Sequence, residues 1–396
     1  MDLINKIKSL SESFHEDTIA NRRHLHANPE LSFEETETAA FVIATLDKLG
    51  VKYRTGIAGN GIEAIIEGKN PEKKVTALRA DMDALPIKEE SLKSYKSKNP
   101  GVMHACGHDV HTSSLMSTLR IINELKNDFE GTVKFIFQPG EEVFPGGASL
   151  MIKEGILKNP RPESIFGQHV MPLIPVGKVG FRKGMYMASA DEIYVTVRGK
   201  GGHGALPEMC VDTVLIASHI IVALQQVVSR MAKPITPSVL TFGKVMAMGA
   251  TNVIPSEVKI EGTFRTLDEK WRKEAHARMK KLASGLAESM GGYCDFNIQV
   301  GYPYLENQPE LTERARQAAI QYLGEENVVD LDVWMGAEDF AYYSQKTSAC
   351  FYRLGTRNEE KNIISPVHTS TFDIDEDALA LGPGLMAWIA LNELSA

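Results

Sequence analysis

Apolar and polar positions follow two alternating periods along the first part of the chain. Apolar residues recur at helical spacing over residues 3–27, and Asn28-Pro29-Glu30 marks the end of that segment. A second helix is predicted over 34–49, ended by Gly50. Further helices are predicted over 111–126 and 148–157, between strand-like runs at 61–67, 75–80, 132–137 and 164–170. Strands that alternate with helices are typical of a largely parallel sheet with helices on both faces.

The pattern changes at about residue 184. A half-buried strand is predicted at 191–198, and a long amphipathic helix at 211–232. Strands at 238–245 and 257–265, a helix at 269–290 and a strand at 294–300 complete the order βαββαβ. This order predicts a ferredoxin-like unit. Beyond it, helices are predicted again at 309–323 and 376–393, with short strands at 328–331 and 349–354.

The two patterns predict an α/β protein with two domains. A chain of 396 residues exceeds what one compact core usually serves. We expect a discontinuous domain of residues 1–183 and 301–396, built on a largely parallel sheet. Residues 184–300 are expected to form a smaller inserted domain.

Composition limits the classes of partner. With 43% hydrophobic and 24% charged residues the chain is ordinary for a soluble enzyme, and its net charge of −8 argues against nucleic acid or an anionic membrane as the main partner. No segment is expected to span a bilayer, and the first residues have no apolar core of signal-peptide type. A cytoplasmic location is therefore expected. The four cysteines are far apart in sequence, and no disulfides are expected.

The richest candidate for chemistry is the stretch 104–111, which holds three histidines, a cysteine and an aspartate. Thiolate and imidazole ligands suit zinc and other late divalent ions, and Cys106 and His108 flank a glycine that lets the backbone turn. A single cysteine or histidine is more often a buried structural residue. For a cluster of this kind we favour a metal site instead, because adjacent buried imidazoles need several separate partners.

Acidic residues follow two predicted strands, and a histidine lies near the end of a third. Asp81 and Asp83 come after the 75–80 strand, Glu141 and Glu142 after the 132–137 strand, and His169 in the 164–170 strand. Parallel sheets bind ligands beyond the carboxyl ends of their strands, so these side chains are expected to converge. One glutamate of the pair could bind a metal while the other acts as a general base. Taken alone, such pairs are more often solvated turns.

For several further residues the sequence does not decide between a functional and a structural role. His203 lies in a loop with four glycines, and His368 is a lone histidine late in the chain. Asn252 and Arg265 lie at strand ends of the smaller domain. Arg265 could hold a carboxylate bidentately, although an ordinary surface arginine is the alternative.

Together these segments resemble the M20 family of metallopeptidases, and most closely its amidohydrolase subgroup. That subgroup holds hippurate hydrolases, N-acyl-amino-acid amidohydrolases, auxin-conjugate hydrolases and N-acetyldiaminopimelate deacetylases. The resemblance covers nearly the whole chain in the family's order. Its motifs are Arg22-Arg23-His24-Leu25-His26, Pro29-Glu30-Leu31, residues 79–86, residues 104–111, Gln138-Pro139-Gly140-Glu141-Glu142, Asn252-Val253-Ile254-Pro255, Gly336-Ala337-Glu338-Asp339-Phe340 and His368.

The resemblance implies a dinuclear metal site. It implies two divalent ions per subunit, zinc, manganese, cobalt or nickel, with a thiolate shared between them. The matching ligands are Cys106, His108, Glu142, His169 and His368. Glu141 matches the catalytic base. Either Asp83 or Asp109 is expected to orient a ligand imidazole.

The resemblance also implies roles for the smaller domain. His203 and Asn252 match lid residues that approach the substrate, and in related dimers this histidine serves the partner's active site. A homodimer through a ferredoxin-like lid is therefore expected. Met248-Gly249 departs from the family's usual glycine pair, which affects the predicted shape of the substrate pocket.

The function these features predict is metal-dependent hydrolysis of N-acyl amino acids, with acetyl or aromatic acyl groups, to a carboxylate and a free amino acid. Arg265 or a neighbouring lid group would hold the substrate carboxylate. The alternatives are a specific N-acetyldiaminopimelate deacetylase, a metallocarboxypeptidase that acts on short peptides, an inactive binding protein of the same fold, and a metal-storage or sensing module.

Overall fold

The computed structural model describes residues 2–396 and divides the chain into two compact units. The first unit comprises Met1–Gly184, Glu306–Asp332 and Asp339–Ala396. The second comprises Met185–Leu305 and Val333–Glu338. Residues 301–305 and 333–338 therefore lie with the second unit and Gly184 with the first, whereas the predicted bounds placed them the other way round.

Strands and helices alternate along the described residues. The strands are β1 (Lys52–Ile57), β2 (Gly61–Glu67), β3 (Val75–Asp81), β4 (Thr132–Gln138), β5 (Ser164–Pro175), β6 (Val179–Phe181), β7 (Gly184–Met187), β8 (Asp191–Arg198), β9 (Gly202–His203), β10 (Ser238–Ala247), β11 (Val253–Ile254), β12 (Glu257–Thr266), β13 (Tyr293–Val300), β14 (Leu305–Asn307), β15 (Val328–Asp330) and β16 (Ser348–Arg357). The helices are α1 (Leu3–Ser13), α2 (His15–Ala27), α3 (Thr36–Leu49), α4 (His108–Glu124), α5 (Gly147–Lys153), α6 (Thr213–Gln226), α7 (Glu269–Ser289), α8 (Pro309–Leu323), α9 (Ala341–Ser344) and α10 (Ala378–Ser395).

The first unit is built on an eight-stranded sheet of order β1-β2-β4-β3-β5-β16-β6-β15. Its four central strands, β4, β3, β5 and β16, are parallel to one another. Antiparallel pairing of β2 with β4 and of β6 with β16 extends the sheet at its two sides. The predicted mixed α/β fold with a largely parallel central sheet is confirmed.

Burial explains why these segments form this sheet. Every residue of β3 and β4 is buried, as expected of strands covered on both faces. Helix α10 is apolar around almost its whole circumference and is nearly all buried, in keeping with a core helix. Helix α3 ends at Gly50, whose φ of 63° is the left-handed conformation that closes a helix.

The second unit is built on a four-stranded antiparallel sheet of order β10-β12-β8-β13. Alternate residues of β8 are buried, because α6 and α7 cover only one side of the sheet. Along the chain the order is β8, α6, β10, β12, α7, β13. A separate two-stranded ribbon pairs β9 with β11.

Helix α6 continues into a wider turn at Val227–Met231. The combined segment Thr213–Met231 is long and apolar enough to span a membrane by length and composition, so the expectation that no segment reaches this length is wrong. Ile216, Ile220 and Leu224 on its inner side belong to the core of the second unit. A core helix of a globular protein passes the same test of length and composition.

Candidate metal centre and active site

His108 is the first residue of α4, which begins three residues earlier than the sequence predicted, and Cys106 lies two residues before it. Gly107 between them has a φ of 83°, and an added Cβ there would lie 2.5 Å from Val170 Cγ2. Only glycine fits this left-handed and crowded position. The glycine therefore permits the turn that brings the thiol and the imidazole together.

The five predicted ligands come together in the first unit. Cys106, His108 and His169 place one donor atom each within 4.8 Å of one another, and so do Cys106, Glu142 and His368. The two groups share the sulfur of Cys106. Its Sγ lies 3.5 Å from His169 Nε2, and Glu142 Oε1 lies 3.3 Å from His368 Nε2.

The buried polar atoms of the predicted site show whether a metal ion suits it. His108 Nε2 is buried and makes no hydrogen bond to any residue in the described range 2–396. It lies 3.7 Å from Asp81 Oδ2 and 3.9 Å from Glu142 Oε1. Buried nitrogens are normally satisfied, and a cation would bind this one beside a thiol and carboxylates. The residues present fit divalent metal ions.

Asp83 orients the His108 ring. Its Oδ1 lies 3.2 Å from His108 Nδ1, while Oδ2 accepts hydrogen bonds from Ser32 Oγ at 2.6 Å and from the Glu142 N–H at 3.0 Å. Burial opposes ionisation, but these hydrogen bonds hold the pKa of Asp83 below its usual value. An ionised Asp83 keeps the proton of His108 on Nδ1 and leaves the lone pair of Nε2 for a metal.

His169 is oriented by the backbone carbonyl of the next residue. Its Nδ1 lies 2.8 Å from the carbonyl oxygen of Val170, so Nδ1 must carry the proton. The lone pair of Nε2 is then on the side of Cys106. Burial, followed by the charge of Arg353, holds the pKa of His169 well below its usual value. The ring is therefore neutral, which is the form that binds metals.

His111 supports this arrangement through hydrogen bonds at both of its ring nitrogens. Its Nδ1 lies 2.6 Å from Asp81 Oδ1, and its Nε2 accepts the Val170 N–H at 2.9 Å. Both nitrogens are engaged, and Arg79 Nη1 binds the other oxygen of Asp81 at 2.6 Å. Both backbone polar groups of Val170 are thus bound, the N–H by His111 and the carbonyl oxygen by His169.

Glu141 follows β4 on a turn that starts at Gly140, whose φ is 60°. Its carboxylate is buried, and Oε1 accepts the Asp339 N–H at 3.2 Å. His108, Glu141 and Glu142 place one donor atom each within 4.8 Å of one another. The base predicted from sequence therefore lies beside the predicted ligands.

Asp109 lies elsewhere, although it adjoins His108 in sequence. Its Oδ2 accepts a hydrogen bond from Arg22 Nε at 2.8 Å and lies 2.8 Å from His26 Nδ1. The carboxylate of Asp83, and not that of Asp109, contacts a predicted ligand. Consecutive residues of a helix point about 100° apart, which separates Asp109 from His108.

The predicted residues of the second unit lie on its ribbon and sheet. His203 on β9 is opposite Val253 on β11, and the Gly204 N–H donates to the Asn252 carbonyl at 2.8 Å. The His203 ring is exposed, and its Nδ1 accepts the Ala205 N–H at 3.1 Å, which leaves the ring proton on Nε2. Arg265 is half-buried and donates to the Met335 carbonyl at 3.3 Å.

Three supports of the site were not predicted from the sequence. These are the Ser32 hydroxyl, the Val170 peptide and the N–H of Asp339. Asp339 lies in a quoted motif, and Ser32 follows another. The Val170 peptide has no signal in the sequence, because a backbone group carries none.

Comparison with known proteins agrees with this geometry. The model of Peptidase family M20/M25/M40 matches residues 77–392. The chain belongs to peptidase family M20/M25/M40. The match covers every predicted metal ligand and Glu141.

Two curated relatives illustrate the range of this M20 chain's neighbours. An N-acyl-L-amino acid amidohydrolase of Geobacillus stearothermophilus is 41% identical over 305 residues, with 77% of this chain and 82% of the relative covered. Thermostable carboxypeptidase 2 of Saccharolobus solfataricus is 37% identical over 397 residues, with 99% of each covered.

A solved structure matches the fold of the M20 chain. It is the Bacillus subtilis YXEP protein, described as a dinuclear metal binding peptidase from the M20 family. The TM-score is 0.84 at 34% identity, and the match covers 97% of this chain and 99% of that one.

Proposed function

We propose that this M20 chain is a metal-dependent amidohydrolase that cleaves N-acyl amino acids to a carboxylate and a free amino acid. One observation carries the proposal. A buried carboxylate, Glu141, lies beside a converging set of thiol, imidazole and carboxylate donors, two atoms of which, His108 Nε2 and Glu142 Oε1, make no hydrogen bond to a described residue. The name of the Geobacillus relative, an N-acyl-L-amino acid amidohydrolase, supports the substrate class.

The metal ions would be held by the two groups that share Cys106. The proposed ligands are Cys106, His108, Glu142, His169 and His368, and zinc, manganese, cobalt and nickel all suit such ligands. When bound, divalent ions acidify water and polarise a carbonyl oxygen. Burial raises the pKa of the Cys106 thiol, so the thiolate form needs a cation beside it.

Glu141 would act as the general base and then as the general acid. It takes a proton from water as the water oxygen bonds to the amide carbon, and it returns that proton to the nitrogen as the carbon–nitrogen bond breaks. The Asp339 N–H holds one carboxylate oxygen of Glu141.

The second unit would be a ferredoxin-like lid that supplies substrate contacts. The Nε2–H of His203 is a donor suited to the oxyanion that develops on the amide oxygen. Asn252 lies next to His203 on the ribbon and offers a second polar group. As in related dimers, we propose that His203 acts on the active site of the partner subunit.

Arg265 would hold the free carboxylate of the substrate. Its guanidinium is half-buried, and burial lowers its pKa. Within the described residues 2–396, no carboxylate forms an ion pair with it. A half-buried charge without a counter-charge is costly, and a substrate carboxylate would remove that cost.

We also propose a homodimer through this unit. Helix α6 exposes an apolar row on the side opposite its core contacts, formed by Val214, Leu215 and Val222. Strand β10 is an edge strand of the sheet and exposes Val245. An apolar helix face beside an unpaired strand edge suits a second copy, which would cover both.

A metallocarboxypeptidase is the second candidate, because the Saccharolobus relative carries that name. A specific N-acetyldiaminopimelate deacetylase is a narrower form of the first proposal. An inactive binding protein is disfavoured because Glu141 is present next to the donors.

The deciding experiment is a substrate panel on protein reconstituted with Zn²⁺, Mn²⁺, Co²⁺ or Ni²⁺. The panel holds N-acetyl and N-benzoyl amino acids, N-acetyldiaminopimelate and dipeptides. The proposal expects cleavage of the N-acyl amino acids, loss of activity on chelation and recovery on metal addition. Cleavage of dipeptides alone would favour the carboxypeptidase, and metal binding without cleavage of any member would reject enzymatic function.

A further inference from the structure

We propose that Glu35 is a positioning residue for the proposed hydrolysis. It holds the turn that carries Glu141 and Glu142 without touching substrate or metal. The inference rests on the proposed function, because it concerns the same turn. It gives a role to residues 32–35, which follow the Pro29-Glu30-Leu31 motif and include none of the proposed metal ligands.

The carboxylate of Glu35 binds the first residue of the turn. Glu35 is completely buried, and its Oε1 accepts the Gly140 N–H at 2.7 Å. The same oxygen accepts the Phe33 N–H at 2.8 Å, while Asn60 Nδ2 lies 3.4 Å from Oε2. One carboxylate oxygen of Glu35 therefore joins the segment around Phe33 to Gly140, the residue before Glu141.

The Phe33 ring closes over the same glycine. An added Cβ at Gly140 would lie 2.4 Å from Phe33 Cζ. Phe33 itself has a φ of 67°, which is uncommon for a residue with a side chain. Its strained backbone is retained where the ring packs on Gly140 and its N–H binds Glu35.

The segment also holds the far end of the turn. Ser32 Oγ donates to Asp83 Oδ2, the oxygen that accepts the Glu142 N–H at 3.0 Å. The backbone between Gly140 and Glu142 is thus held at one end directly by Glu35 and at the other by Asp83, which Ser32 binds. Glu141 lies between the two attachments.

Burial of the ionisable carboxyl group of Glu35 costs free energy, and a residue that only filled the space would not have this cost. Burial and the nearby charge of Asp83 raise the pKa of Glu35 to about 7. A neutral side chain of similar shape would fill the space without this cost. A carboxylate accepts two N–H groups more strongly than an amide does, which fits a task of holding the turn.

The test compares Glu35→Gln with Thr38→Val. Thr38 lies in the first turn of α3, is buried, and its hydroxyl makes no hydrogen bond to a described residue. Loss of that hydroxyl perturbs the same helix without touching Gly140. The readouts are kcat and KM on the best substrate of the panel, Co²⁺ affinity by competition with a chelator, and hydrogen exchange of the 140–142 amides, all at matched folded fraction.

We expect Glu35→Gln to lower kcat about 10- to 100-fold with little change in KM, because a small misplacement of Glu141 acts on the chemical step. Co²⁺ affinity should fall about tenfold through Glu142, and the 140–142 amides should exchange faster. Thr38→Val should change none of these. Equal values in the two variants would overturn the proposal.

Glu35→Asp covers the case in which the amide variant does not fold. It keeps the charge but is one methylene shorter, so it cannot bind both N–H groups; it should show the same losses, and wild-type values would overturn the proposal. If the wild-type enzyme cleaves nothing in the panel, the proposed function fails. The Co²⁺ and exchange measurements still decide the positioning role.

Discussion

Asp83 and His108 form a buried pair in which the carboxylate Oδ1 lies 3.2 Å from the imidazole Nδ1. This contact determines which ring nitrogen faces the other donors. The second oxygen of Asp83 is occupied by two further donors. Any change at Asp83 therefore alters the ring of His108, a proposed ligand, and the Glu142 backbone together.

Asp83→Asn should weaken metal binding about 10- to 100-fold, as loss of a group that orients a ligand typically does. The amide NH₂ would have to face either His108 Nδ1–H or the Glu142 N–H. In either orientation two hydrogen-bond donors would face each other, and one hydrogen bond would be lost. Chelator competition measures the change. Asp330→Asn, at a side chain that is 84% exposed, is the matched control and should bind metal as the wild type does. Equal affinities would show that Asp83 does not orient His108.

Glu141→Gln should reduce kcat about 10²–10⁴-fold and leave KM and metal content nearly unchanged. The amide keeps the shape and the hydrogen bond from Asp339 but cannot take a proton. Steady-state kinetics and elemental analysis of the same preparation measure both quantities. Glu142→Gln provides the contrast, because it should lower metal content. Near-full turnover of the Glu141 variant would refute its role as base.

Arg265→Met should raise KM for N-acetyl amino acids about tenfold or more, because a charge-assisted pair with the substrate carboxylate is lost. The corresponding N-acetyl amino acid amides have no carboxylate to lose. Their kinetics should be the same in the variant and the wild type. Parallel shifts for acids and amides would point to a structural role for Arg265.

Glu89 should make the protein sensitive to acid. Its side chain is 4% exposed. Burial opposes ionisation, but hydrogen bonds from His26, Ser91 and the Ser97 N–H lower its pKa to about 2 from a usual 4.5. A lowered carboxyl pKa stabilises the fold above pH 4.5, and that stability is lost as the pH falls towards 2.

Glu89→Gln should therefore unfold more easily at neutral pH, by at most about 3 kcal/mol. The difference from the wild type should shrink as the medium is made more acidic. Urea unfolding across this pH series measures it. Glu359→Gln, at a side chain that is 76% exposed, should show no such convergence. A difference between Glu89→Gln and the wild type that is independent of pH would contradict the assignment.

A mixing experiment tests whether His203 acts in the partner's site. Glu141→Gln and His203→Ala should each be nearly inactive alone. If His203 acts across the dimer, subunit exchange creates one site with both native residues, and activity returns. Val222→Lys, at a side chain that is 73% exposed on α6, should give a monomer by sedimentation and abolish this recovery. No recovery in mixed dimers would place His203 in its own subunit's site.

The sequence predicted the elements whose pattern is strong within one segment. The helix over 309–323 and the strand over 191–198 were predicted with the limits that the structure shows. Strand β1 was missed because its first five residues are exposed and carry no apolar alternation. Its pairing with β2 is a tertiary contact, which a local pattern does not encode.

The site was predictable as far as topology determines it. Donors placed after parallel strands had to meet at one edge, and Asp83, Glu142 and His169 do. The choice between Asp83 and Asp109 depended on side-chain direction at the start of α4. The anchoring of the turn by Glu35 depended on a loop packed from a distant part of the chain. Neither relationship has a local signature.

The sulfur of Cys106 belongs to both donor groups. If Cys106 bridges two ions as proposed, oxidation to a sulfinic or sulfonic acid would remove the shared thiolate from both at once, and ordinary thiols reverse neither product. Inactivation by peroxide would follow a single chemical event per subunit, without a half-active intermediate. Purification under reducing conditions, with metal present to shield the thiolate, is the practical consequence.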